Sequence, residues 1–190
     1  MRNSVQDWNT LLNREDVLIL DTETTGFKPD SEVLQVSAID TLGQTRFDEY
    51  VLPNKPIPRE AAKIHGLTES KLKEFNARPW VEYHDRFTEL TTRTATFVLV
   101  YNLDFDTRLI RQTCEMQSPP VYFVPYKGRC IMKEYAAHRR VPNQWGSWKW
   151  HKLADAARYE GATNQPDIHN SLIDCEIVLD LMRKVVNQIT

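Results

Sequence analysis

The chain has 190 residues, of which 41% are hydrophobic and 26% charged, and its formal net charge is −2. These fractions describe a folded globular protein and exclude both disorder and a disulfide scaffold, and the length suits one core, so a single domain over residues 1–190 is expected. No apolar run approaches the roughly 20 residues needed to span a bilayer. Met1 to Asp7 lacks the apolar stretch of a secretory signal, so a cytoplasmic location without membrane contact is expected.

In chain order, Val5, Trp8, Leu11 and Leu12 fall at helical spacing and predict a short leading helix. Val17–Leu20 predicts a buried strand. Strands near Val33–Ile39 and Thr45–Val51 follow, joined as a hairpin by Asp40–Gly43, and the first three strands should be antiparallel. Helices are predicted over Pro58–His65, Glu69–Phe75 and Trp80–Thr91, then a buried central strand over Ala95–Tyr101 and a helix over Asp104–Met116. A further short strand is predicted at Val121–Val124, with helices over Cys130–His138, His151–Tyr159 and Asn170–Asn187. Strands first, then strands alternating with helices, imply an α/β fold with a mixed sheet and helices on its faces.

Cys114, Cys130 and Cys175 form no C-x-x-C pair and read as reduced core thiols rather than zinc ligands or disulfide partners. Charge is unevenly placed. From Lys127 to Lys152 seven Lys and Arg face the single Glu134, a local +6 that leaves −8 elsewhere. Trp145, Trp148 and Trp150 interleave with these cations. Two readings stand: a surface that stacks unpaired bases and follows phosphates, or a solvated basic face with core tryptophans. The Val141–Ser147 stretch is expected to be a mobile loop over the site.

Side chains two apart on a strand share a face, so Asp21 and Glu23 should project together from the end of the first strand while Thr22 points away. Two carboxylates that close repel each other, and a hard dication such as Mg²⁺ or Mn²⁺ relieves the repulsion. Solvated acids that never converge are the bland alternative. Asp106, at the junction of the central strand with its helix, lies where α/β sheets assemble sites, and Asp104 is the better candidate for a helix-capping role. Asn102 and Phe105 either brace the strand end or touch substrate.

His169 and Asp174 are five apart, about 140° around a helix, and cannot share a face if both are helical. His169 should therefore precede the last helix on a mobile loop, with Asn170 as N-cap. Thr68 reads as a helix N-cap.

The ordered set Asp21-x-Glu23, Asn102-x-x-Phe105-Asp106 and His169-x-x-x-x-Asp174 resembles the three motifs of the DEDDh (DnaQ-like) 3′-to-5′ exonuclease family. Asp21–Gly26, Ile64–Thr68 and Lys152–Asp155 extend the resemblance to about Val17–Leu181. Asn170 stands where the tyrosine branch of the family places its base, so the histidine branch is indicated. The resemblance implies a ribonuclease H-like, five-stranded fold and two divalent ions, Mg²⁺ or Mn²⁺. Asp21, Glu23 and Asp174 would hold one ion, Asp21 would bridge to the other, Asp106 would support the cluster, and His169 would be the general base. It implies backbone N–H contacts from Thr24, Thr25 and Gly26 to the terminal nucleotide, and Leu67 wedged against its base. The expected partner is the 3′ end of single-stranded DNA, with a homodimer or polymerase association as further expectations. The alternatives are an exoribonuclease that trims RNA and a catalytically silent nucleic-acid-binding or polymerase-docking module.

Overall fold

The computed structural model describes residues 5–162 and 169–189. Its strands are β1 (Val17–Thr24), β2 (Val33–Asp40), β3 (Thr45–Tyr50), β4 (Phe97–Val100) and β5 (Gly128–Cys130). They form one sheet in the order β3-β2-β1-β4-β5. β1 pairs antiparallel with β2 and parallel with β4; β2–β3 is antiparallel and β4–β5 parallel. The helices are α1 (Gln6–Leu12), α2 (Arg59–His65), α3 (Glu69–Glu74), α4 (Trp80–Glu89), α5 (Leu103–Glu115), α6 (Ile131–Arg139), α7 (Leu153–Glu160) and α8 (Ser171–Ile189). This is the ribonuclease H-like class expected, a mixed five-stranded sheet flanked by helices.

The central strand shows why these residues make this sheet. An interior strand covered on both sides must be apolar on both faces. Val17 and Ile19 enter one core cluster, with Trp8 and Leu11 of α1 and Val178, Leu181 and Met182 of α8. Leu18 and Leu20 enter the opposite cluster, with Trp80 and Phe87 of α4 and Leu109 and Ile110 of α5. The same alternation carried past Leu20 gives Asp21 and Glu23 to the α8 face and Thr22 to the α5 face. The parallel register Val17↔Phe97 to Leu20↔Val100 then sets where β1 and β4 diverge, immediately before Asp21 and Tyr101.

Two predicted elements are corrected. Val121–Val124 forms no strand: Pro119, Pro120 and Pro125 flank it and cannot donate to a ladder, and Phe123 packs instead into the α4–α5 core. The fifth strand is Gly128–Cys130, paired Val98↔Gly128 to Val100↔Cys130. A side chain at Gly128 would overlap Leu103 Cδ1, so glycine lets β5 and the start of α5 approach. The predicted helix ending at Thr91 instead runs on into a π-helical turn, Leu90–Thr94, closed by Ala95 N–H donating to Leu90 O at 3.0 Å.

The three cysteines are free and buried. Trp145, Trp148 and Trp150 are exposed, which removes the core-tryptophan reading of the basic segment. Val141–Ser147 is part of a tight turn in which Asn143 Oδ1 accepts from the N–H groups of Trp145 and Ser147. No helix among the described residues is long and apolar enough to cross a membrane.

Candidate active site

Three separated stretches meet at the carboxyl-terminal part of β1, just past the end of β4. Asp21 and Glu23 come from β1, Asp106 from the first turn of α5, and Asp174 from the first turn of α8. Asn170 caps α8 as expected, its Oδ1 accepting from Leu172 N–H at 3.1 Å and Ile173 N–H at 3.3 Å. A buried network ties that helix start to the sheet. Ser37 donates to Asp48 Oδ1 at 2.8 Å, Gln35 Nε2 donates to the same oxygen at 2.9 Å, and Ser171 meets Ser37 Oγ at 2.6 Å.

The four acids are close enough to raise one another's pKa. Asp21 is pushed well above the carboxylate range by burial and then by Asp106, Asp174 and Glu23. Glu23 is raised to about 8 by burial and by Asp174 and Asp106. Burial raises Asp106 to about 7 against the opposing Thr22 hydrogen bond, and raises Asp174 against the attraction of His169. Such a cluster has the wrong charge for its surroundings unless cations neutralise it. Oxygen donors at this density fit hard dications such as Mg²⁺ or Mn²⁺. Glu23, His169 and Asp174 each place a ligand atom within 4.8 Å of the others.

His169 is half exposed, with Nδ1 3.4 Å from Asp174 Oδ2, and its backbone N–H donates to Ile64 O at 3.2 Å. It precedes α8 as expected; the loop expected to carry it extends into 163–168, outside the described residues.

Sequence reasoning missed Thr22. It lies on the face opposite Asp21, as the alternation requires, yet it is not idle: its hydroxyl donates to buried Asp106 Oδ1 at 2.7 Å. The pairing depends on α5 covering that face, which no local pattern announces. His65 is a second unassigned neighbour. It is buried, its Nδ1 accepts from Leu67 N–H at 3.0 Å, and burial, with His169 nearby, lowers its pKa.

The expected substrate contacts fare differently. Thr25 N–H already donates to Glu32 O at 2.8 Å and Gly26 N–H to Thr24 Oγ1 at 3.3 Å, so these donors are committed within the protein. Leu67 is 5% exposed and packs with Leu34, Ile57 and Leu72; contact with a base would require its turn to open. Asn102 stands at the N-terminus of α5 without a side-chain capping bond. Asp104 is no cap either, and its Oδ2 instead pairs with Lys133 Nζ at 2.5 Å.

Comparison with known proteins places this geometry. The chain is 36% identical over 172 residues to the uncharacterized exonuclease CP81 of Escherichia phage 186, covering 88% of this chain and 87% of that one. It is 23% identical over 174 residues to DNA polymerase III subunit epsilon of Buchnera aphidicola subsp. Baizongia pistaciae, covering 85% and 66%. Among solved structures, exonuclease X in complex with 5′ overhanging duplex DNA superposes with a TM-score of 0.62 at 21% identity, over 90% of this chain and 92% of that one. Escherichia coli exonuclease I with a dA16 oligonucleotide gives 0.70 at 19%, over 90% and 40%. The exonuclease family profile (RNase T) matches residues 18–182, a span that contains all four acids and His169, and the chain belongs to that family.

Proposed function

We propose that this chain is a single-domain 3′-to-5′ exonuclease that hydrolyses the terminal phosphodiester of single-stranded DNA and releases 5′-mononucleotides. The observation that carries the reading is the convergence of Asp21, Glu23, Asp106 and Asp174, all raised in pKa by burial, beside His169. A module that only bound nucleic acid would gain nothing from acids that repel phosphates.

Asp21, Glu23 and Asp174 would hold the divalent ions, Mg²⁺ or Mn²⁺, with Asp106 supporting them from the α5 side. When bound, such ions stabilise charge on the attacking and leaving oxygens of an in-line displacement at phosphorus. Thr22 aims Asp106 and favours its ionised form against the effect of burial by donating to one of its oxygens. His169 accepts the proton of the attacking water. With Nδ1–H turned to Asp174, the neutral imidazole keeps its lone pair on Nε2, the atom left to act as base. Thr24, Thr25, Gly26 and Asn102 line the same strand ends and are assigned to the terminal nucleotide, which Gly26 N–H would meet only by leaving Thr24 Oγ1 and Thr25 N–H only by leaving Glu32 O.

Digestion of 5′-labelled and 3′-labelled single-stranded DNA, duplex DNA and RNA with Mg²⁺ or Mn²⁺, with products sized, tests this. The 3′ label should leave first, as a mononucleotide, and single-stranded DNA should be degraded fastest. Loss of the 5′ label first, or equal digestion by Asp21→Asn, would overturn the reading; faster digestion of RNA would transfer it to RNA.

A further inference from the structure

A second feature lies outside the carboxylate cluster and shares no residue with it. The end of α6, residues 149–152 and α7 border an open cavity of about 400 Å³ lined by Arg139, Lys149, Trp150, His151, Lys152, Asp155 and Tyr159. Its cations outnumber its acids, and the lining acid Asp155 is already paired with Arg158 at 3.1 Å. Arg139 is braced by buried Glu160 at 3.7 Å and lies over the Tyr159 ring, 3.3 Å from its centroid. The guanidinium and ammonium groups of Arg139, Lys149 and Lys152 give the cavity an excess of positive charge that suits an anion.

The cavity is connected to the active-site rim. Asp104, in the same helical turn as Asp106, pairs with Lys133, and Lys133 Nζ lies 6.0 Å from the centroid of Trp150. From Lys133, α6 rises about 9 Å to Arg139. Trp150 is 60% exposed, so an aromatic face stands open beside the cations, whereas Arg139 covers one face of Tyr159. Cations that track phosphates beside rings that stack bases are the means by which proteins hold single strands.

We propose that this cavity is a second strand-holding subsite, in which Arg139, Lys149 and Lys152 grip a backbone phosphate upstream of the reacting 3′ end and Trp150 stacks the adjoining base. The ligand class rests on the nuclease reading; the geometry of the cavity does not. Burial, reinforced by Lys149 and Arg139, lowers the His151 pKa, so the imidazole adds no further charge there.

The test is fluorescence anisotropy with fluorescein-labelled oligothymidylate in chelator, where hydrolysis cannot confuse binding, comparing the unaltered protein with Lys149→Glu/Lys152→Glu. Both lysines are exposed, and an unchanged melting temperature checks the fold. Affinity should fall at least about tenfold at low salt, and the slope of log affinity against log salt should shrink by about 1.4. Trp150→Ala should weaken binding about tenfold with the slope preserved. Hydrolysis of the p-nitrophenyl ester of thymidine 5′-monophosphate, which carries no upstream nucleotide, should be unchanged in all variants. Unaltered oligonucleotide affinity and slope in the double variant would overturn the proposal. So would a defect confined to binding of thymidine 5′-monophosphate, which would make the cavity a mononucleotide site. If the unaltered protein cleaves neither ester nor oligonucleotide while the binding losses appear, the cavity assignment stands and the nuclease reading fails.

Discussion

His169 Nδ1 faces Asp174 Oδ2 at 3.4 Å across the start of α8. The contact can serve a base or a metal ligand, and the two roles separate experimentally. As the base, His169→Ala should lower kcat about 10²- to 10⁴-fold. The rise in melting temperature produced by Mn²⁺ should survive, because the carboxylates still hold the ion. Loss of that rise together with activity would make His169 a ligand.

The acids make the metal-free protein sensitive to alkali. A carboxyl whose folded pKa is raised binds its proton more tightly folded than unfolded, so its contribution to stability is full at low pH and disappears as pH climbs. For Glu23 the window runs from 4.5 to about 8, and for Asp106 from 3.8 to about 7. Thermal melts in chelator should therefore show a falling melting temperature from pH 5 to pH 8. Millimolar Mg²⁺ or Mn²⁺ should restore more stability at pH 8 than at pH 5. Glu23→Gln should flatten the metal-free profile, and an unchanged slope in that variant would contradict this account.

Thr22 is the least conspicuous member of the site and offers a clean substitution. Thr22→Val keeps the shape but removes the hydroxyl that donates to Asp106, leaving the buried carboxyl with backbone hydrogen bonds alone. A loss of about 1–3 kcal/mol is expected in denaturant melts. The activity–pH profile should also move to higher pH, while Thr22→Ser should restore both.

Gly128→Ala tests the close approach between β5 and α5. The added methyl would overlap Leu103 Cδ1 and meet Cδ2 at 2.9 Å, and Leu103 is packed against both large cores. Overpacking of this kind costs about 1–3 kcal/mol. Since Leu103 opens the helix that carries Asp106, kcat should drop more than KM rises.

Features governed by local periodicity were legible in the sequence. Val17–Leu20 running into Asp21-x-Glu23 announces a buried strand that ends in two acids on one face, and the structure has both. The Asn170 cap was readable because five residues cannot bring His169 and Asp174 together on one helix. Tertiary contacts hid the rest. β5 is three residues containing a glycine, chosen by its fit against β4 and Leu103 rather than by strand propensity, whereas Val121–Val124 has the propensity but sits among prolines. The burial of Leu67 and the partnership of Thr22 with Asp106 depend on which helix covers which face.

The parallel register of β1 on β4 leaves no graded version of the carboxylate cluster. A slip of one residue would exchange the faces of Leu20, Asp21 and Thr22, burying an acid in apolar packing and delivering a leucine to the cleft. On the proposed function, misassembled molecules would be silent rather than sluggish, and turnover in a refolding mixture would count the correctly assembled population.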